Sequence, residues 1–273
     1  MFTLSEQHLD RLSALVFEAS GIQVSDAKRS VVRTRLGRRL HEMGVNSFRH
    51  YLQLLSDDAQ EKSYLFDLIS TNYSYFFREE EHFRFLAEVS LPPLFAPGAD
   101  DGTPVKIWSA AAAAGQEPYS IGIETLETRA RLGSVRPVSI FGTDISTAAL
   151  DKARAGVYPE EVISSIPAER RRRWFQQGTG KFAGTARVRK ELRDVVTYSC
   201  MNIVANMPPD LFHIIFIRNM MIYFDRNTQE KLIAALTLHL LPEGWLVIGH
   251  SENLTSIKHT LVSHGQTLFR RKR

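Results

Sequence analysis

One cysteine, Cys200, is all that the 273 residues contain, so no internal disulfide can form, which fits a reducing compartment. No apolar run approaches the ~18 residues that a membrane-spanning helix needs, and no basic segment followed by an apolar stretch opens the sequence. Charge of one sign is in no great excess: the formal net charge is +4, too little by itself to argue for nucleic acid or a membrane surface. No second histidine or cysteine stands at ligand spacing near His250, so no metal site is expected. These absences point to a soluble, cytoplasmic protein. At 44% hydrophobic, it can bury a proper core as one large domain or two smaller ones.

The first ninety residues read as helical. Thr3 and Glu6 form a candidate capping box, and Gly21 suits the position just past the helix that follows. Ser25 is placed to start a second helix, whose Val32, Leu36, Leu40 and Met43 recur at three- and four-residue steps before Gly44. Shorter helices are expected over 46–55 and 58–69. The second helix is unusually basic, with six cations and no acid between Lys28 and Arg39. On a helical projection Lys28, Arg35, Arg38 and Arg39 share one stripe, which suits an acidic partner and reads equally as a solvated face.

Prolines and glycines crowd residues 92–104, marking a linker. After it, strands at 105–108, 138–142, 195–199, 212–217 and 245–249 are separated by helices at 118–131, 146–155 and 228–240, the signature of a parallel sheet. A closing hairpin around Gly265 brings the expected sheet to seven strands. About forty residues before the strand at 195 break this alternation and carry β-prone pieces between glycines. They predict an inserted, basic, antiparallel β-subdomain at about 174–194. The expected organisation is therefore a helical unit at 1–90, a linker at 91–104 and an α/β domain at 105–273.

Two stretches look like halves of a nucleoside site. Val105 to Trp108 runs into the small-residue loop Ser109 to Gly115 and then a helix started by Pro118, where backbone can approach a ligand. The strand 138–142 leads to Asp144, an acid at a strand tip, suited to a ribose hydroxyl pair. Each has a plainer meaning: an alanine run packs well, and Asp144 can cap the next helix. Glu117 suits a helix first turn, Asn202 a turn, and Tyr223 a half-buried core position. Arg218 and Asn219 end an apolar strand, where such sheets bind ligands. Thr71 to Glu79 mixes polar groups with aromatics instead of segregating them, as a segment touching both core and ligand would.

Taken in order, these blocks resemble the chemotaxis receptor methyltransferases, the CheR family. Thr71 to Phe83 is similar to that family's T-N-x-T-x-F-F-R-E segment and following H-F, with Ser74 for Thr. Ile107 to Ser120 resembles its W-S-A-A-C-S-T-G-E-E-P-Y-S loop, and Thr143 to Ile145 with Gly156 to Tyr158 its next block. Ile217 to Asp225 resembles C-R-N-V-x-I-Y-F-D, and Gly249 to Glu252 is G-H-S-E. In this chain Ala112, Ala113 and Ala114 replace Cys-Ser-Thr, removing side-chain hydrogen bonds from the loop, and Gln116 replaces the first Glu.

The resemblance implies a Rossmann-like fold that uses S-adenosylmethionine, releases S-adenosylhomocysteine and methylates glutamate side chains of bacterial chemoreceptors. It implies cofactor contacts from Asn72, Ser74, Arg78, Ala111, Glu117, Asp144, Asn202, Ile203, Arg218 and Asn219. Arg78 and Tyr223 would orient the reacting groups at the transfer centre. Lys28, Arg35, Arg38 and Arg39 would dock the receptor's cytoplasmic helices, and the β-subdomain would capture a receptor tail peptide, as in some relatives. The expected state is a monomer that neither binds nucleic acid nor inserts in a membrane. A methyltransferase with an RNA or small-molecule acceptor and a non-catalytic cofactor-binding adaptor stay open, since this fold does not dictate the acceptor.

Overall fold

Apolar residues three and four apart assemble the N-terminal unit. Its helices are α1 (Glu6–Ser20), α2 (Asp26–Glu42), α3 (Phe48–Asp57) and α4 (Ala59–Ile69). Leu9, Leu12 and Val16 of the first, Leu36 and Leu40 of the second, Tyr51 and Leu55 of the third and Leu65 and Ile69 of the fourth share one buried cluster. The structure, a computed structural model, describes residues 3–24, 26–69 and 73–273. Ser25, Thr71 and Asn72 lie outside them, so the expected roles of Ser25 and Asn72 fall outside the described residues. The capping box of α1 is two residues later than expected: Ser5 Oγ accepts from His8 N–H, and His8 Nδ1 accepts from Ser5 N–H. An imidazole nitrogen here does the work expected of Glu6. Gly21 ends α1 in the left-handed region.

Next come α5 (Glu80–Phe85), a single π turn at Leu86–Ser90 and α6 (Pro92–Phe95). The strands are β1 (Val105–Ser109), β2 (Val138–Asp144), β3 (Val157–Pro159), β4 (Phe175–Gln177), β5 (Thr185–Val188), β6 (Val196–Cys200), β7 (Phe212–Ile217), β8 (Leu240–Ile248), β9 (Val262–Ser263) and β10 (Leu268–Arg270). Seven of them form one sheet in the order β6-β2-β1-β7-β8-β10-β9. Its first five strands are parallel, and β10 is antiparallel to both neighbours. Helices α7 (Gln116–Arg131), α8 (Thr147–Ala155) and α12 (Arg226–His239) are the crossovers, with the short α9 (Glu160–Ile163), α10 (Ala168–Trp174) and α11 (Lys190–Arg193) between.

Strand residues alternate between two cores, as a sheet covered on both faces requires. Trp108, Ile215, Ile217, Leu246 and Ile248 join the cluster that contains the helical unit and α12. Ile107, Ile214, Phe216 and Val247 join Phe83, Leu86 and Phe95 with Ile121 and Ile123 of α7. The segment from Phe76 to Phe95 therefore packs on the sheet and not within the bundle. Buried Arg136 pins the stretch that follows, donating to the carbonyls of Leu94, Ala99 and Thr103 and pairing with Asp101.

A second, antiparallel sheet runs β3-β5-β4. Its first strand lies upstream of the expected 174–194 interval, because three residues directly after a helix cap are too few to leave an alternating pattern. Among the described residues no helix is long and apolar enough to cross a membrane.

Candidate active site

The order of the large sheet reverses between β1 and β7, and the carboxyl ends of strands flanking such a point open a crevice. Here that crevice is a cavity of about 360 Å³, within the range of small-ligand sites. Of the residues singled out from the sequence, Ser74, Arg78, Ala111, Glu117, Asp144, Arg218, Asn219 and Tyr223 line it. Asn202 and Ile203 line a narrower apolar slot beside it, which shares Ala111 and Asp144. The side-chain amide of Asn202 is committed elsewhere: Nδ2 donates to Ala19 O at the end of α1, at 2.6 Å, and Oδ1 accepts from Val204 N–H.

The basic stripe of α2 divides. Arg35 and Arg38 are exposed. Arg39 turns inward, forming an ion pair with buried Glu61 and stacking on Tyr64. Lys28 reaches the cavity, where Nζ donates to Ile69 O at 2.7 Å and lies 4.5 Å from the centre of the Tyr223 ring. Burial holds its amine below the usual lysine range. A helical projection sees only angle around the axis, and the seating of the bundle decides which of these cations face solvent.

Asp144 ends β2 with one carboxylate oxygen accepting from Ala113 N–H and the other from Ser146 N–H, both at 2.9 Å. Burial pushes its carboxyl up against those two bonds. It therefore braces the loop and caps the approach to α8, and it still lines the cavity. Gly115, with φ +93°, makes the turn into α7. A Cβ at Gly115 would stand 2.8 Å from Tyr158 Oη and 3.0 Å from Ala153 Cα, which leaves glycine as the residue that fits.

Arg218, its side chain 1% exposed, is the hub. Its Nη1 lies 3.2 Å from Glu117 Oε2, and its Nη2 lies 3.2 Å from Glu79 Oε2 and also donates to Arg78 O. Ser109 Oγ donates to the other Glu117 oxygen at 2.7 Å. Buried charges persist only when paired in this way. The two acids differ nonetheless. Burial raises the Glu117 carboxyl in spite of Arg218 and Ser109. At Glu79 burial is again the largest single influence and pushes upward, but Arg218, His82 and His250 with its N–H together outweigh it and the carboxyl falls below its usual range.

Several participants lie within the quoted motif blocks but carry no role assigned from the sequence. Glu79 and the histidine pair His82 and His250 are brought together from 171 residues apart, and their donor atoms lie within 4.8 Å of one another. This is the second histidine that sequence spacing does not reveal near His250. A divalent cation there would face the Arg218 guanidinium on the same carboxylate, so the donor set does not suit one. Glu252 accepts from Gly249, Asn219, Met220 and Met221 N–H at 2.7 to 3.0 Å, fixing the loop after β7. Of five non-glycine residues with left-handed φ among those described, Phe77, Glu79, Ala113 and Asn219 lie in segments that frame this cavity. Such strain collects where surrounding structure enforces a functional geometry.

Residues 72–269 match the CheR methyltransferase, SAM binding domain, and residues 7–70 match the CheR methyltransferase, all-alpha domain. The chain belongs to the CheR methyltransferase family. It is 37% identical to the chemotaxis protein methyltransferase of Escherichia coli (strain K12), over 97% of this chain and 91% of that protein. It is 38% identical to chemotaxis protein methyltransferase 2 of Pseudomonas aeruginosa, over 98% and 94%. Among solved structures, the N-methyltransferase NodS from Bradyrhizobium japonicum WM9 matches at 15% identity with a TM-score of 0.39, over 71% of this chain and 97% of that one. That likeness is too loose to argue from. The CheR assignment agrees with the fold expected from sequence, a helical unit before a mostly parallel α/β sheet.

Proposed function

We propose that this chain transfers the methyl group of S-adenosylmethionine to glutamate side chains of chemoreceptors. One observation carries the reading: acids suited to a cationic nucleoside cofactor and cations suited to an incoming carboxylate converge on one cavity. Glu117, Asp144, Arg78 and Lys28 all line it, with Lys28 over the ring of Tyr223. The donor set fits the cofactor. Asp144 would take the ribose, and Glu117 with Arg218 the amino-acid end.

Bound S-adenosylmethionine supplies an electrophilic methyl on a sulfonium. A glutamate with an ordinary pKa near ~4.3 is already an anion at neutral pH, so no general base is required of the chain. The residues need only hold the carboxylate in line and keep water out. Such alignment is worth as much as ~7 to 11 kcal/mol in favourable systems. Arg78 and Tyr223 orient the acceptor, and Lys28 adds positive potential where it enters. Tyr73, 73% exposed, and Ile222 give the mouth an apolar rim for the helix that presents the glutamate.

The exposed Arg35 and Arg38 serve encounter with an acidic receptor bundle. A cleft of about 650 Å³ on the small sheet, beside Gln176 and Gln177 of edge strand β4 and lined by Arg171, Arg172 and Arg189, suits an acidic tail peptide added as a further strand. In this reading the chain works as a cytoplasmic monomer.

The test is transfer of radiolabelled methyl to membranes carrying candidate receptors. Base-labile label identifies a carboxyl ester, and its absence from every receptor removes the acceptor assignment. Tyr223→Phe is expected to lower turnover about tenfold with donor binding retained. Unchanged turnover would take Tyr223 out of the mechanism.

A further inference from the structure

We infer that His82 is a positioning residue of this site, holding Glu79 in the orientation from which Arg218 bridges it to Glu117. The inference rests on the cavity being the methyl-donor site. His82, on α5, is 1% exposed and does not line the cavity. Its Nε2 is 2.9 Å from Thr267 Oγ1, and its Nδ1 is 3.4 Å from Glu79 Oε2. A threonine hydroxyl that donates to Nε2 leaves the ring proton on Nδ1, the nitrogen facing the carboxylate. The same Oε2 meets Arg218 Nη2 at 3.2 Å and accepts from His250 N–H at 3.2 Å. Thr267, His82, Glu79, Arg218, Glu117 and Ser109 thus form one chain of polar contacts from the approach to β10 to the tip of β1.

Neutrality is part of the device. The charged and titratable groups facing His82 are Glu79 just before α5, Glu81 on it, Arg218 at the end of β7 and His250 after β8. Burial first, then Arg218, push the imidazole down to about 4. A cationic ring would compete with Arg218 for Glu79 and add positive charge beside a pocket meant for a sulfonium. The 3.4 Å contact falls short of hydrogen-bond geometry, and Nδ1 is a buried nitrogen without a hydrogen-bond partner among the described residues. Such slack is common in unloaded sites and is taken up on binding.

Nitrogen-15 NMR of the protein without ligand tests the tautomer directly. At pH 7 His82 is expected to be neutral with its proton on Nδ1, and a proton on Nε2 overturns the inference. His82→Asn puts an amide donor where Nδ1 stood, whereas His82→Gln reaches toward Thr267. Calorimetry with S-adenosylhomocysteine is expected to show about tenfold weaker binding for His82→Gln and for Thr267→Val. The Asn variant should stay within about threefold of the parent, and turnover at saturating donor should change little in all three. Equal losses in the Asn and Gln variants, or no loss in either, overturn the positioning role. A parent protein that does not bind S-adenosylhomocysteine would instead sink the donor-site reading beneath it, while the tautomer is read with no ligand present.

Discussion

An imidazole shielded from water is a liability below neutral pH, and among the described residues buried His82 and half-buried His213 are both such groups. His213 Nδ1 accepts Lys106 N–H at 3.1 Å, which requires the unprotonated ring. Burial pushes both His82 and His213 down to about 4 from an ordinary 6.5. The unfolded chain therefore binds more protons across that window. Stability is complete above about pH 6.5 and drains away as pH falls toward 4, by roughly 3 kcal/mol per histidine at the low end. Glu117 and Asp144, raised by burial, act in the opposite sense, so the histidine share is read as a difference. Denaturant melts from pH 7.5 to 5 should show H213N, whose amide oxygen can still accept from Lys106, losing less on acidification than the parent. Parallel profiles would mean that His213 does not titrate as argued.

Among the elements, the turn from β1 into α7 carries the tightest constraint. Gly115→Ala would force a side chain into left-handed backbone and against the Ala153 backbone, costing on the order of 2 kcal/mol or more. The expected outcome is a clearly lower melting temperature together with weaker S-adenosylhomocysteine binding. A parent-like melt would show that α8 can back away. This turn was legible in the sequence because a strand, small residues, a glycine and a helix-starting proline follow one another without interruption. Asp144 was legible for the same reason, as an acid at the tip of an apolar strand. Glu79 was not: its partners Arg218 and His250 are 139 and 171 residues away, and no periodicity encodes such a meeting. The inward turn of Lys28 and Arg39 was equally hidden, since a helical projection ranks faces without knowing what covers them. The strand β3 was missed because three residues leave no pattern, and the cap of α1 because histidine replaced the usual acid.

At the scale of the molecule, the two units are joined at several points near the cavity. Asn202 holds Ala19 O, Tyr223 O accepts from Gln23 N–H at 2.9 Å, and Ser146 Oγ donates to Asp67 at 2.5 Å. The outward cations of α2 lie apart from these joints, so docking and donor binding should separate experimentally. Reversing Arg35 and Arg38 to glutamate is expected to slow receptor methylation several-fold at low ionic strength and to flatten its salt dependence, with S-adenosylhomocysteine affinity unchanged. Retained salt dependence would move the docking face elsewhere.

Ile22, Lys28 and Ile69 belong to the helical unit, yet they wall the cavity. A chimera made by grafting a relative's bundle onto this sheet, to retarget it to a foreign receptor, would also replace part of the wall of the cavity proposed to hold the methyl donor. Specificity and donor retention would then drift together, and retargeting by exchange of surface arginines alone is the route that keeps them apart.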